Sequence, residues 1–354
     1  MRTRVLALVL CCAAAGCASA PSKLKAKEVP AAITHAEQEL AAGRTESALD
    51  WMRAATAAKD LPTEQRNQVQ RVLEEAATKR IEELSAPGQD PDDLAELVEI
   101  GLPRQLSVQA GLAAARAQVR NGDRMDAFRL LRKLDRKFPL HYERQAAGDL
   151  IVEIGLYLAQ LHKSFLIFYS SDSQAEEVLE YAIIQHPWAR RGDEAHQQLA
   201  DLYESHNDLA LAIDRLQKLV LDHPDSPLRP RAQLRVPILR LKLLRSPEFD
   251  RGTLLKADEE LKRWLGTFGP DHELAHEAGL RLGDCERRLC DSDLSIAKFY
   301  RTVDNVAGTR FHAERAAEEA RSAGDTQREK RALELVAGLP PEPAAAVAPQ
   351  GTKP

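Results

Sequence analysis

Apolar residues recur along most of this chain at intervals of three and four, not two. Ala195, Leu199, Leu202 and Tyr203 share one helical face, and Ile213, Leu216, Leu219 and Val220 share another. One stripe per helix faces a neighbour and leaves Arg, Lys, Glu and Asp outside. The pattern predicts a succession of amphipathic helices. Composition agrees: the chain is rich in Ala, Leu, Glu and Arg, all strong helix formers, and aromatic residues are only 5%.

The helices follow a repeat. From Ala127, a Pro (Pro139) follows at plus twelve and a second Ala (Ala147) at plus twenty. Ala175 has Pro187 and Ala195 at those offsets, and Ala212 has Pro224 and Ala232. From Ala257 the offsets lengthen by one, to Pro270 and Ala278, while Ala297 and Ala317 keep the spacing of twenty without the Pro. A turn is expected five residues before several of the starting alanines, at Gly43, Gly122, Asn207 and Ser292. Gly or Asn supplies the positive φ of a helix C-terminus, and Ala lets two helices approach closely. The Pro ends the second helix and starts the turn to the next pair. The fold expected is all-α, a tetratricopeptide-type helix-turn-helix solenoid of about five or six units. The stretch 151–169 is strongly apolar but carries Glu153, Gln160, His162 and Lys163, so it reads as a buried or interface helix and not a membrane span.

Charge narrows the function. With 49 Lys plus Arg against 54 Asp plus Glu, the net charge is -5, which argues against a nucleic-acid binder. The N-terminus adds an address. Arg2 and Arg4 precede an apolar run, residues 5–15, too short to span a bilayer and suited to a signal-peptide core. Ala14, Ala15 and Gly16 lead directly into Cys17, as in bacterial lipoprotein signals, where cleavage precedes a cysteine carrying diacylglycerol. Cys17 is the expected lipidation site, its acyl chains of the palmitate type. Ordinary secretion with cleavage after Ala18-Ser19-Ala20 is the alternative. Removing residues 1–16 takes two positive charges away and moves the net charge from -5 to -7. No Asp follows Cys17 to retain the chain at the inner membrane, so the expected location is the periplasmic face of the outer membrane. Cys11 and Cys12 leave with the signal. Cys285 and Cys290, five apart on a helix, point different ways and read as small packing residues and not as a disulfide.

Residues 173–336 resemble the family of outer-membrane protein assembly factor BamD, a tetratricopeptide lipoprotein. The resemblance rests on the His186-Pro187 and His223-Pro224 turns, the run DLALAIDRLQKLVLDHPDSP (208–227), and LSIAKFYRTV (294–303) with Ala297, Phe299 and Tyr300. It covers roughly half the chain. It implies a helical periplasmic scaffold whose partners are the barrel-assembly machinery and unfolded outer-membrane proteins. The organisation expected is a signal peptide at 1–16, a tether at 17–30, N-terminal helical repeats at 31–170, the BamD-like repeats at 171–337, and a disordered Pro/Ala-rich tail at 338–354.

One motif offers enzymatic chemistry. His272, Glu273 and His276 spell H-E-x-x-H, which on a helix places two zinc ligands on one face beside a general base. The third position of the extended pattern is Leu282, which cannot bind zinc. The repeat register also puts His272 in a turn. The chain therefore reads as a non-enzyme without cofactor or resident metal, with no glycine-rich phosphate loop, paired-cysteine motif or nucleophile elbow. A periplasmic adaptor for cell-wall or Tol–Pal-type machinery is the alternative function, and a zinc peptidase the remote one.

Overall fold

The computed structural model describes residues 20, 23–164, 169–244 and 250–340, with the side chains of 162–171 excluded. The signal segment, Cys17 and the tail beyond Pro340 lie outside the described residues. The described residues form α-helices and no strand, apart from a one-turn helix at Ala26–Glu28. The chain divides into two compact units, residues 1–147 and 148–354.

The first unit holds α1 (Val29–Ala41), α2 (Thr45–Thr56), α3 (Thr63–Leu84), α4 (Pro91–Leu97), α5 (Arg104–Asn121) and α6 (Arg124–Lys137), with the start of α7 (Arg144–Ser164). Helical order begins at Ala26, inside the stretch expected as a tether. Helix α2 packs against α1 and α3, α3 reaches α5, and α5 pairs with α4 and α6. The α5–α6 contact is close because Gly111 has no side chain: a Cβ there would stand 2.6 Å from Leu134 Cδ1.

The second unit holds the rest of α7, then α8 (Tyr169–Gln185), α9 (Gly192–Ser205), α10 (Leu209–Asp222), α11 (Arg229–Leu243), α12 (Arg251–Phe268), α13 (Ala275–Thr302), α14 (Val306–Ser322) and α15 (Thr326–Ala337). From α8 to α15 each helix packs on the next in sequence. This is the local, neighbour-to-neighbour packing of a helical repeat array. After α15, Gly338 N–H still bonds Glu334 O, and Pro340 O accepts from Arg310.

The repeat register holds where it was drawn from turn chemistry. Ala48, Ala127, Ala175, Ala212, Ala257 and Ala297 are all completely buried, as are Ala195, Ala232 and Ala278. Gly122 (φ +99°) and Asn207 (φ +63°) take the left-handed conformation expected of them. Each lets the next N–H reach back five residues: Asp123 N to Gln118 O at 2.8 Å, and Asp208 N to Tyr203 O at 2.8 Å. That bond closes a helix C-terminus and frees the chain to reverse.

Ser292 is the exception. The expected turn there does not form, and α13 runs unbroken through it from Ala275 to Thr302. No residue of α13 takes a positive φ, and Cys285, Leu289 and Ser292 continue one buried face through the expected turn. The reversal waits for Asp304 (φ +55°), where Asn305 N reaches Tyr300 O at 2.9 Å. Two expected helices are thus one.

Candidate functional site

The H-E-x-x-H residues are not brought together as zinc ligands. His272 lies in the turn ahead of α13, and its Nδ1 accepts from Leu274 N–H at 3.1 Å. Its ring packs edge-on against buried Trp264, centroids 5.1 Å apart, with Phe268 beside both. His276 is exposed on α13 itself, and Glu273 is exposed in the turn. Among the described residues no group of three or more His, Cys, Asp or Glu is placed to hold a metal.

Cys285 and Cys290 are free and buried. The Cys285 thiol donates to Leu254 O at 3.3 Å, and burial pushes it up to about 12. Burial does the same to Cys290, so neither offers a ready thiolate at neutral pH.

The His-Pro turns have a packing role. The side chain of His186 covers Gly148 so closely that a Cβ there would lie 2.7 Å from His186 Cβ, and His223 covers Gly192 in the same way, at 2.9 Å. Between them lies buried His196, its ring 5.7 Å from that of His223. Burial first, then the facing His223 and Arg215, depress His196 to about 4, so it is neutral at physiological pH.

A charged network is built into the α12–α13–α14 packing. Completely buried Asp293 accepts from Arg251 at 2.6 Å and sits 2.6 Å from His312 Nδ1, while Arg251 also reaches Glu319 at 3.1 Å. Against the opposing effect of burial, the bonds from Arg251 and His312 hold Asp293 below the usual carboxylate range. Burial, and then the Asp293 charge, push Glu319 up to about 8. One carboxyl stays ionised while its neighbour keeps its proton, as expected of two acids in one confined site.

Among the described residues, a groove of about 520 Å³ opens where three helix faces meet. Helix α10 contributes Gln217, Val220 and Leu221, at spacings of three and four; α11 contributes Arg229, Gln233 and Val236; α12 contributes Glu260 and Arg263. That volume falls within the usual range for small-ligand sites, roughly 300–1,000 Å³. The walls are fixed from behind: Trp264 Nε1 of α12 donates to Pro230 O of α11 at 2.8 Å, and Arg240 pairs with Glu260 at 3.0 Å. The periodicity assigned Val220 to the buried stripe with Ile213, Leu216 and Leu219. Those three are buried, but Val220 is only half-buried and turns toward the groove, beside Leu221, which is 77% exposed. Nothing in the sequence marks Gln233 or Arg263, because the groove is made by three segments spread over some fifty residues.

Against the same fold, residues 194–226 match the family model described as tetratricopeptide repeat, and they span α9, α10 and the turn toward α11. No curated protein matches the chain. Among solved structures, a tetratricopeptide repeat protein from Parabacteroides merdae is 13% identical, with 88% of this chain and 99% of that chain covered and a TM-score of 0.23. The tetratricopeptide domain of P58(IPK) is 13% identical over 88% of this chain and 98% of its own, with a TM-score of 0.24. The described residues are all-α and packed as successive helix hairpins, and one hairpin, at 194–226, carries the tetratricopeptide repeat pattern.

Proposed function

We propose that this chain is a lipid-anchored scaffold at the periplasmic face of the outer membrane that assists assembly of outer-membrane β-barrel proteins. The repeat fold supports the scaffold part: hairpins stacked on their neighbours expose extended faces suited to protein partners. The single observation behind the anchor is the junction at Gly16-Cys17, a small residue and a cysteine at the end of a short apolar run. No helix of the described residues is long and apolar enough to cross a membrane, so attachment there would be the work of the acyl chains. Two or three chains on one cysteine suffice for stable anchoring, whereas one binds marginally. The resemblance of residues 173–336 to BamD supports the assembly role.

Fractionation tests the anchor. Wild-type chain is expected in the outer-membrane fraction, and Cys17→Ala in the soluble periplasm. Continued sedimentation of Cys17→Ala with membranes would overturn the reading.

A further inference from the structure

The end of α13 and the first turns of α14 hold a continuous band of rings open to solvent. Phe299 lies 5.8 Å from Tyr300, Tyr300 stacks on His312 at 5.6 Å, and His312 meets Phe311 at 5.1 Å, centroid to centroid. The two inner rings are fixed. Tyr300 lies so close on Gly308 that a Cβ there would stand 2.7 Å from its Cγ, and Asp293 holds His312 Nδ1 at 2.6 Å. The two outer rings are not packed away: Phe299 and Phe311 are each more than half exposed, as is Val303, one turn beyond Phe299. Arg315 places its guanidinium over the Phe311 ring, 5.4 Å from the centroid. Contiguous apolar surface of this kind, with its rings already in place, marks a contact.

The chain itself brings an occupant to this place. Helix α15 packs along α14, and just after it the Pro340 carbonyl accepts a hydrogen bond from Arg310, the residue before Phe311. Fourteen residues follow Pro340, PEPAAAVAPQGTKP. At about 3.1 Å per residue in the polyproline conformation they reach about 40 Å, far more than the three ring-to-ring steps of the band require. Their composition suits rings. Pro341, Pro343 and Pro349 offer rigid apolar faces with no N–H to satisfy, and segments of this kind dock on aromatic-lined surfaces at low entropic cost. Val347 adds an apolar side chain. Glu342, the one acid among them, comes two residues after Pro340, and Arg310 and Arg315, on either side of Phe311, are its complement.

We propose that residues 341–354 fold back over the α13–α14 hairpin and cover the band of Phe299, Tyr300, His312 and Phe311, with their prolines against the two outer phenylalanines. The cover belongs to the same molecule, so it holds at any protein dilution. It is independent of the lipid anchor and of the assembly partner.

The test uses the purified full chain with the photoreactive benzoylphenylalanine in place of Phe311, irradiated before and after dilution. Mass mapping is expected to find the adduct on residues 341–354 of the same molecule, in a yield that dilution does not change. Adducts confined to residues outside 341–354, or a yield that falls in proportion to dilution as for a second copy, overturn the proposal. The unmodified chain supplies a second reading through proteinase K cleavage within Ala344–Ala348. Phe299→Ser combined with Phe311→Ser changes two exposed positions outside the hairpin core and leaves the cleaved segment intact. It is expected to speed cleavage at least about fivefold, with helix content by circular dichroism unchanged. Equal cleavage rates in wild type and the double variant overturn the proposal.

Discussion

The α9–α10 and α13–α14 hairpins turn on the same backbone device and are held together by different forces. Each reverses at a left-handed residue, Asn207 in one and Asp304 in the other, and the N–H after it reaches back five residues to close the helix before it. Between α9 and α10 the filling is apolar: Leu199, Ala212, Ile213 and Leu216 are buried there, and Tyr203 sends its hydroxyl to Glu176 and Glu180. Between α13 and α14 the packing buries small residues, Ala297, Ala313, Ala316 and Ala317, along with Ser292, Asp293, Glu286 and Thr309. The turn is therefore set by local chemistry, while stability comes from whatever fills the space. An apolar filling resists single changes gradually; a buried ionic filling depends on every partner being present.

The largest effect should come from breaking the ionic hairpin. Arg251→Met leaves Asp293 buried beside Glu319 with its strongest partner gone, and denaturant titration should show a loss of about 3–5 kcal/mol. A loss below about 1 kcal/mol would mean that the network is not what joins these helices.

Next comes a pH effect confined to the apolar hairpin. His196 is depressed to about 4, so the unfolded chain takes up its proton first as pH falls below about 6.5. Its contribution is fully present above that pH and is lost progressively down to about pH 4, by at most about 3 kcal/mol. Titrating stability across pH 4–7 in wild type and His196→Leu should show that slope in the first and its absence in the second.

Ala212→Trp should overpack the α9–α10 interface at a cost of about 1–3 kcal/mol, against less than about 0.5 for Lys218→Ala, whose side chain is half-exposed and paired with Asp214. Hydrogen exchange should show protection lost first in the neighbouring helices. Equal losses in the two variants would place Ala212 outside the interface.

The smallest effect has the most informative sign. Ser292 is completely buried in mid-helix with an unpartnered hydroxyl, so Ser292→Ala should raise stability by up to about 1 kcal/mol. Were Ser292 in a turn between two helices, as its place in the repeat suggested, its hydroxyl would meet solvent and the same change would shift stability by less than about 0.5 kcal/mol.

What could be read from the sequence follows this division. The helical period, the Ala–Pro–Ala spacing and the turns at Gly43, Gly122 and Asn207 are local signals, and each appears in the structure. Ser292 misled because a spacing of five before Ala297 imitates a turn, whereas the chain stays helical through Ser292, on a buried face, and takes positive φ only at Asp304, twelve residues later. His272 and His276 were legible as a motif, and the register correctly placed His272 in a turn. The groove was not legible. Val220 read as core because period alone cannot tell a buried stripe from one that opens where a third helix stands aside, and the ionic network joins Arg251 to Glu319 across sixty-eight residues.

The most direct test of the scaffold account is cross-linking of the full chain in envelope membranes, with captured partners identified by mass. The account predicts capture of the barrel component of the outer-membrane assembly machinery by the wild-type chain and its loss in Cys17→Ala. Capture of cell-wall or Tol–Pal-type proteins instead, or capture that does not depend on Cys17, would contradict it.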